Sequence, residues 1–266
     1  MSALGSAPAP PVSKLFITGA SSGIGQALAE YYAARGAQLG LCARRAEALE
    51  QLAARWPGQV HCYPLDVTDA AALRAASDDF MARLGVPDIV VANAGISMGT
   101  LSEHAEDLDA IRRVMDTNFF GMAATFSPFI GNMRRAGRGR LVGIASVAGI
   151  RGLPGSEAYS ASKAAVITYL ESLRVELRPS GIKVVTLCPG YIRTPMTAAN
   201  PFPMPFLMAA DAAAARFARA IDQGRSYVVV PWQMGVVARV LRLLPNAVYD
   251  RLMVGAPRKP RQVSGE

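Results

Sequence analysis

Short apolar runs alternate along the chain with longer amphipathic stretches. Seven runs have the length and the apolar content of buried strands, namely 14–18, 37–43, 59–65, 87–92, 139–145, 182–187 and 226–230. Between them, apolar residues recur every three or four positions, which predicts helices over 26–35, 47–56, 68–84, 106–133, 157–178 and 211–221, with Thr68 as the N-cap of the third. Strands that alternate with helices in this way form parallel sheets covered on both faces. We therefore expect a single doubly wound α/β domain with a parallel seven-stranded sheet.

The two ends of the chain depart from this alternation. Residues 1–13 are rich in Ala, Pro and Ser, and we interpret them as a flexible extension of a domain that spans 14–254. Residues 232–254 form apolar C-terminal helices interrupted by Arg239 and Arg242, and 255–266 form a tail. Subunit packing is the default explanation for so apolar an end, and a helix that lies on a membrane surface is the alternative, supported by the two arginines. No stretch reaches the ~18 apolar residues that a membrane-spanning helix needs.

The stretch 195–225 is the one region that breaks the pattern inside the domain. It begins with an irregular run rich in Met, Pro and Phe, and ends in the last predicted helix. Such a run beside a site is a candidate substrate lid, and a packed surface loop is the equal alternative.

Composition narrows the class of protein. The chain has 266 residues, 51% of them hydrophobic and 18% charged, which suits one compact domain. A net charge of +8 would suit nucleic acid, an anionic membrane or an anionic cofactor, but the basic residues are scattered, so we discount nucleic acid. Cys42, Cys62 and Cys188 lack metal-ligand spacing, so we predict no metal site and buried free thiols. With no signal-peptide pattern, we expect a cytoplasmic protein, peripheral to the inner membrane if its C-terminal helix binds lipid.

A glycine-rich turn joins the first strand to the first helix, with the sequence Thr18-Gly19-Ala20-Ser21-Ser22-Gly23-Ile24-Gly25. The backbone N–H groups of such a turn, and the helix N-terminus behind it, bind a pyrophosphate. Gly19 permits the tight turn, Gly23 lets phosphate approach the backbone, and Gly25 lets the helix lie close to the sheet. The turn therefore predicts a dinucleotide site.

The second strand ends in Arg44-Arg45, without a carboxylate. In this kind of fold the end of that strand faces the adenosine ribose, where a carboxylate would bind a free 2′-hydroxyl. The planar guanidinium of Arg44 suits a 2′-phosphate instead, so we predict NADP rather than NAD. The alternative is that Arg44 and Arg45 merely end a strand and start a solvated helix.

Tyr159 and Lys163 are four residues apart in a predicted helix, so both side chains lie on one face, one turn apart. A cation beside a phenol favours the phenolate and lowers its pKa from about 10 toward the range of efficient proton transfer. Tyr159 could then exchange protons with an alcohol or a carbonyl. An ordinary exposed helix pair is the alternative.

Further polar residues lie at the ends of predicted strands or at a helical position where the residue type is unfavourable. Asn93-Ala94-Gly95 follows the fourth strand and suits a ribose or a flat ring, or a plain turn. Asn118 lies inside a predicted helix, where asparagine is locally unfavourable. A hydrogen bond from its side chain to a buried backbone group would explain its presence there. Ser146 ends the fifth strand, a position at which serine is common.

With these pieces in order, the chain resembles the short-chain dehydrogenase/reductase family in its single-domain form, over about 14–230. The resemblance implies a Rossmann fold with the Thr18 to Gly25 turn as cofactor loop and Asp66-Val67 at the adenine. It also implies that Asn93-Ala94-Gly95 is the structural turn of the family, with Ala92 in place of a frequent asparagine. The segment on the nicotinamide side would hold Pro189, Gly190, Ile192 and Thr194, and the catalytic tetrad would be Asn118, Ser146, Tyr159 and Lys163.

The resemblance also implies roles. Tyr159 would protonate a carbonyl oxygen or take up an alcohol proton, and Ser146 would polarise the same oxygen. Lys163 would lower the pKa of Tyr159 and hold the nicotinamide ribose, and Asn118 would support a water relay toward Lys163.

We therefore expect an NADP(H)-dependent oxidoreductase that interconverts an apolar ketone or aldehyde and a secondary alcohol. A 3-oxoacyl carrier-protein reductase is the alternative enzyme, and a cofactor-binding scaffold or sensor without turnover is the non-enzymatic one. By family analogy we expect a homodimer or homotetramer.

Overall fold

Seven parallel strands form one sheet at the centre of the molecule. The computed structural model describes residues 14–261, so the predicted extension 1–13 and the last part of the predicted tail, 262–266, lie outside the described residues. The strands are β1 Lys14–Thr18, β2 Gln38–Ala43, β3 Val60–Pro64, β4 Ile89–Ala92, β5 Gly139–Ile144, β6 Ile182–Pro189 and β7 Tyr227–Val230. Their order is β3-β2-β1-β4-β5-β6-β7, and every neighbouring pair is parallel. The predicted doubly wound seven-stranded sheet is thus confirmed.

Helices cover both faces of this sheet. Their bounds are α1 Gly23–Ala33, α2 Ala46–Ala54, α3 Ala70–Leu84, α4 Asp107–Met115, α5 Gly121–Ala136, α6 Glu157–Glu176, α7 Pro195–Ala198, α8 Ala210–Asp222, α9 Trp232–Leu243 and α10 Asn246–Met253. Leu15 and Ile17 of β1 point to one face, where α1, α2 and α8 pack, and Phe16 points to the other, where α3, α5 and α6 pack. Strands buried on both faces explain why the predicted strands are continuously apolar rather than alternating.

The cap of α3 differs from the expectation. Asp69, not Thr68, is the N-cap, and its carboxylate accepts a hydrogen bond from the N–H of Ala72 at 2.9 Å. Thr68 is engaged by Asp66, whose Oδ1 accepts from both the N–H and the hydroxyl of Thr68. The Asp66 side chain thus shapes the turn, and the carboxylate of Asp69 caps the helix.

The long helix predicted over 106–133 is not continuous α-helix. A π-helical turn, Asp116–Phe120, separates α4 from α5 and contains Asn118. A π-turn accommodates one extra residue in a helix and often marks a functional position. Here it holds the fully buried Asn118, whose side chain hydrogen-bonds to Ile96 and Ser162.

The predicted lid region, 195–225, consists of two parts that differ in structure and position. Helix α8 belongs to the core, because Phe217 and Ile221 are fully buried against α1, and Tyr32 of α1 donates a hydrogen bond to Asp222 at 3.0 Å. Only the part before α8 remains on the surface beside the site. Among residues 14–261, no helix has the length and apolar character that a membrane crossing requires.

Candidate active site

A cleft of about 410 Å³ opens at the carboxyl ends of the strands, where the strand order reverses between β1 and β4. This switch point is where open parallel sheets bind their ligands. The predicted site residues that line the cleft are Gly19, Ser21, Ser22, Gly23, Ile24, Arg44, Asp66, Val67, Asn93, Ala94, Gly95, Ser146, Tyr159, Lys163, Pro189, Gly190, Ile192 and Thr194. Three predicted residues, Thr18, Gly25 and Asn118, are buried and are not among the lining residues.

The glycine turn is held in place by Asn93. The Asn93 amide donates to the carbonyl oxygens of Thr18 at 3.0 Å and Gly19 at 3.1 Å, and its backbone N–H donates to the Thr18 hydroxyl at 3.2 Å. Gly19 has a φ of +67°, and a Cβ there would lie 2.7 Å from the Cα of Ala94, so no side chain fits. The hydrogen bonds between Thr18, Gly19 and Asn93 therefore fix the conformation of the turn.

The turn has the features that an anionic cofactor needs. Helix α1 begins at Gly23 directly behind it, with no acidic residue in its first turn, so the positive end of the helix dipole faces the cleft. The side chain of Arg45 donates to the Ser21 hydroxyl at 3.1 Å and to the Ser21 carbonyl at 3.3 Å. Backbone donors, a helix N-terminus and a guanidinium thus converge on one end of the cleft, which fits a dinucleotide pyrophosphate.

Both arginines at the end of β2 line the cleft. Arg44 is exposed, and its guanidinium is 3.8 Å from the Asp66 carboxylate, while Arg45 bonds to the glycine turn. An exposed pair at 3.8 Å is weak, so Arg44 is free to turn toward a ligand. Arg45 is also the N-cap of α2, as the alternative of a strand end followed by a helix has it, and its contact with the glycine turn was not predicted from the sequence.

Tyr159 and Ser146 meet at the other end of the cleft. Ser146 is buried at the end of β5, where its Oγ accepts from the N–H of Ala148 at 3.1 Å and shares a hydrogen bond with the Tyr159 phenol. Burial raises the pKa of Tyr159 above its ordinary value, and the Ser146 hydrogen bond offsets part of that rise. The phenol is therefore protonated at neutral pH.

Lys163 lies one helical turn after Tyr159, and a hydrogen bond to the end of β5 holds its ammonium. Its ammonium is 5.8 Å from the centre of the Tyr159 ring and donates to the carbonyl of Ile144 at 2.8 Å. Burial lowers the pKa of Lys163 to about 8. Burial raises the pKa of Tyr159, and a lowering of that pKa by Lys163 stays a prediction.

The Asn118 side chain links Ile96, which follows β4, to Ser162 of α6 by hydrogen bonds. Its Oδ1 accepts from the N–H of Ile96 at 2.8 Å, and its Nδ2 donates to the carbonyl of Ile96 at 3.0 Å and to the Ser162 hydroxyl at 2.9 Å. Ser162 in turn donates to the carbonyl of Tyr159 at 2.8 Å. The simpler interpretation, a buried backbone group that the amide satisfies, is the one that the structure shows.

Sequence reasoning missed two further contributors. Gly149 follows Ser146 in a 3₁₀ turn, and a Cβ there would lie 2.6 Å from the backbone of Lys163, so only glycine lets this turn approach α6. The glycine-rich composition of the loop was its only signal. Apolar residues also line the cleft, among them Ile96, Ile144, Ala145, Pro195 and Met196.

Comparison with known proteins decides the family. The family model of short chain dehydrogenases matches residues 13–202. The chain belongs to the short-chain dehydrogenase/reductase family. An uncharacterized oxidoreductase of Myxococcus xanthus is 42% identical to this short-chain dehydrogenase/reductase, over 88% of this chain and 93% of that protein.

Two further relatives support the assignment. The dehydrogenase/reductase SDR family member 7B of Bos taurus is 34% identical, over 92% of this chain and 82% of that protein. The structure of 3-ketoacyl-(acyl-carrier-protein) reductase from Brucella melitensis, complexed with NADH, superposes with a TM-score of 0.76 at 26% identity, covering 82% of this chain and 96% of that one. This member of the family is thus a nicotinamide-dependent oxidoreductase that acts on CH–OH groups.

Proposed function

We propose that this short-chain dehydrogenase/reductase uses NADP(H) to interconvert an apolar ketone or aldehyde and a secondary alcohol, with Tyr159 as the proton donor and acceptor. The observation that carries the proposal is the position of a protonated Tyr159 phenol, bonded to Ser146, in the same cleft as the glycine turn. A nicotinamide bound there would supply or accept the hydride. The chain's own residues must then position the substrate and move the proton.

In reduction, Tyr159 donates its proton to the carbonyl oxygen as negative charge develops on it. Ser146 donates a hydrogen bond to that oxygen, and its orientation is fixed in advance because its Oγ already accepts from the N–H of Ala148. The Lys163 ammonium, held by the Ile144 carbonyl, is a cation available to offset the negative charge left on Tyr159. Because burial raises the pKa of Tyr159, the phenol is protonated before reduction begins and can donate its proton to the carbonyl oxygen.

The preference for NADP rests on Arg44 and Arg45. Both line the cleft at the end of β2, Arg45 is already bonded to the glycine turn, and Arg44 is exposed. A guanidinium offers two parallel donors to a phosphate, whereas a ribose hydroxyl gains little from it.

An apolar substrate is supported by the walls of the cleft and by the segment before α8. Ile192 pairs with Met208 in a β-bridge that closes the base of this segment, and a capping box between Thr194 and Thr197 fixes its first turn. Phe206 is exposed and adopts a φ of +58°, which is costly for a phenylalanine. We propose that residues 194–207, rather than 195–225, form the lid, and that Phe206 relaxes when it closes over an apolar ligand.

Two variants test the chemistry. Tyr159→Phe should lower kcat for apolar ketones by roughly 10²–10⁴-fold while NADPH binding, measured by fluorescence, stays unchanged. Tyr169→Phe is the matched control, because Tyr169 lies on the same helix, packs on Phe119 and is outside the cleft. Full activity of the Tyr159 variant would contradict the proposed role.

A third variant tests the cofactor. Arg44→Asp should weaken NADPH binding by roughly 10- to 100-fold and leave NADH binding equal or stronger, because it removes a phosphate donor and adds a ribose acceptor. Arg35→Asp, at an exposed position just after α1 and outside the cleft, is the control for a general charge effect. An unchanged preference would show that Arg44 does not contact the phosphate.

A 3-oxoacyl carrier-protein reductase is a second candidate, favoured by the likeness to the 3-ketoacyl-(acyl-carrier-protein) reductase of Brucella melitensis. The net charge of +8 would serve an acidic carrier protein. Faster turnover of a carrier-bound 3-oxoacyl thioester than of simple apolar ketones would favour this candidate.

A further inference from the structure

The outward side of the two C-terminal helices α9 and α10 is apolar and exposed. Trp232, Val236, Val240 and Leu243 recur at helical spacing along α9, and Leu252 continues the surface on α10. Trp232 is 67% exposed, Leu243 84% and Leu252 61%. Single exposed apolar residues are ordinary, but a contiguous row of them at helical spacing marks an interaction surface. We call these five residues the C-terminal face.

The helices that carry this face are firmly held from behind. Met234 on the opposite side of α9 is buried, and its side chain would lie 2.6 Å from a Cβ at Gly190 of the cleft. The Arg151 guanidinium donates to the carbonyl oxygens of Leu241 at 2.7 Å and Leu244 at 2.8 Å, which caps the end of α9. The fold thus presents an apolar row outward on anchored helices.

Charge indicates what covers the face. Arg239, Arg242 and Arg251 are exposed on the same two helices, against one acidic residue, Asp250. A second copy of the chain would bring two like-charged sets together, which opposes association. An anionic lipid surface would bind the arginines and take up the apolar row at the depth of its headgroups, where a tryptophan is also favoured.

From these observations we propose that the C-terminal face docks this protein on an anionic lipid bilayer, lying on the surface without crossing it. The proposal is independent of the reaction proposed above. It places the cleft beside the bilayer, because Met234 links α9 to Gly190.

Flotation of the full chain with vesicles tests the proposal. The protein should float with phosphatidylcholine vesicles that contain phosphatidylglycerol and remain behind with phosphatidylcholine alone or at high salt. Leu243→Glu with Leu252→Glu should lower the partition coefficient about tenfold or more. Leu108→Glu with Val175→Glu is the matched control, because both residues are similarly exposed but lie on α4 and α6, and it should float like the wild type.

Tryptophan fluorescence gives a readout that needs no destabilising variant. The chain has two tryptophans, and Trp232 is the exposed one, so its emission should shift to shorter wavelength on the anionic vesicles. Trp232→Phe, which leaves Trp56, should abolish the shift.

Three outcomes would overturn the proposal. The first is no association with the anionic vesicles, and the second is equal flotation of the Leu243/Leu252 variant. The third comes from light scattering: if that variant alone converts a wild-type oligomer into monomers, a second copy of the chain covers the face instead.

Discussion

Asn118 supports the strongest prediction, because its structural and catalytic roles predict different results. Its amide bridges Ile96 and Ser162, so Asn118→Ala removes three hydrogen bonds at a fully buried position. A relay role alone would reduce turnover and leave the fold unaffected. A bridging role predicts a loss of stability as well.

The magnitude follows from the partners left behind. A buried polar group that loses its partner costs about 1–3 kcal/mol. The N–H and the carbonyl of Ile96 both lose theirs, whereas Ser162 keeps its bond to the Tyr159 carbonyl. Ile96 is half-buried and lines the cleft, so water can replace part of what its backbone loses. We expect Asn118→Ala to lower the free energy of unfolding by about 1–3 kcal/mol, and Tm by about 2–10 °C in a chain of this size.

Urea unfolding followed by circular dichroism, with turnover measured on the same samples, checks this. Asn132→Ala is the matched control, because Asn132 is only half-buried on α5 of the same helical segment and its Oδ1 accepts from the exposed Arg135 side chain. It should change the free energy of unfolding by less than about 0.5 kcal/mol. An Asn118→Ala protein that unfolds at the wild-type urea concentration but turns over slowly would refute the bridge and favour the relay.

Two further predictions concern Lys163 and Arg151. Between pH 7 and 9.5 the wild type should gain about 2 kcal/mol in free energy of unfolding relative to Lys163→Met, because the folded lysine, with its pKa lowered to about 8, releases a proton that the unfolded chain still binds. The destabilisation that comes from burying the lysine charge is fully present below pH 8 and decreases as the pH rises. Urea midpoints of the wild type and of Lys163→Met that change with pH in parallel would contradict this prediction. Arg151→Ala should leave the last carbonyls of α9 without their guanidinium donor and remove the stacking of that guanidinium 3.9 Å from the Tyr249 ring centre. The rate of amide hydrogen exchange should therefore rise in 232–253 and stay unchanged in α3. Arg174→Ala, an exposed arginine on α6, is its control, and unchanged exchange in 232–253 would show that other contacts anchor the helices.

The order of strands and helices could be predicted because each element has a local signature. Hydrophobic periodicity separates helix from strand within a few residues, and parallel sheets with covered faces need continuously apolar strands. The glycine turn and the Tyr159/Lys163 pair were likewise local, since a turn conformation and a four-residue offset are set by neighbouring residues.

Properties that depend on residues distant in sequence could not be predicted. The sequence placed Tyr159 beside a cation, and the structure shows a raised pKa for Tyr159, because burial depends on every segment that packs around the phenol. The Arg45 contact with Ser21, the approach of Gly149 to α6 and the place of α8 in the core are also long-range. The sequence by itself determined which elements form and which side chains share a helix face. The tertiary structure decided which charges are desolvated and which polar groups are already paired, because both depend on packing between distant parts of the chain.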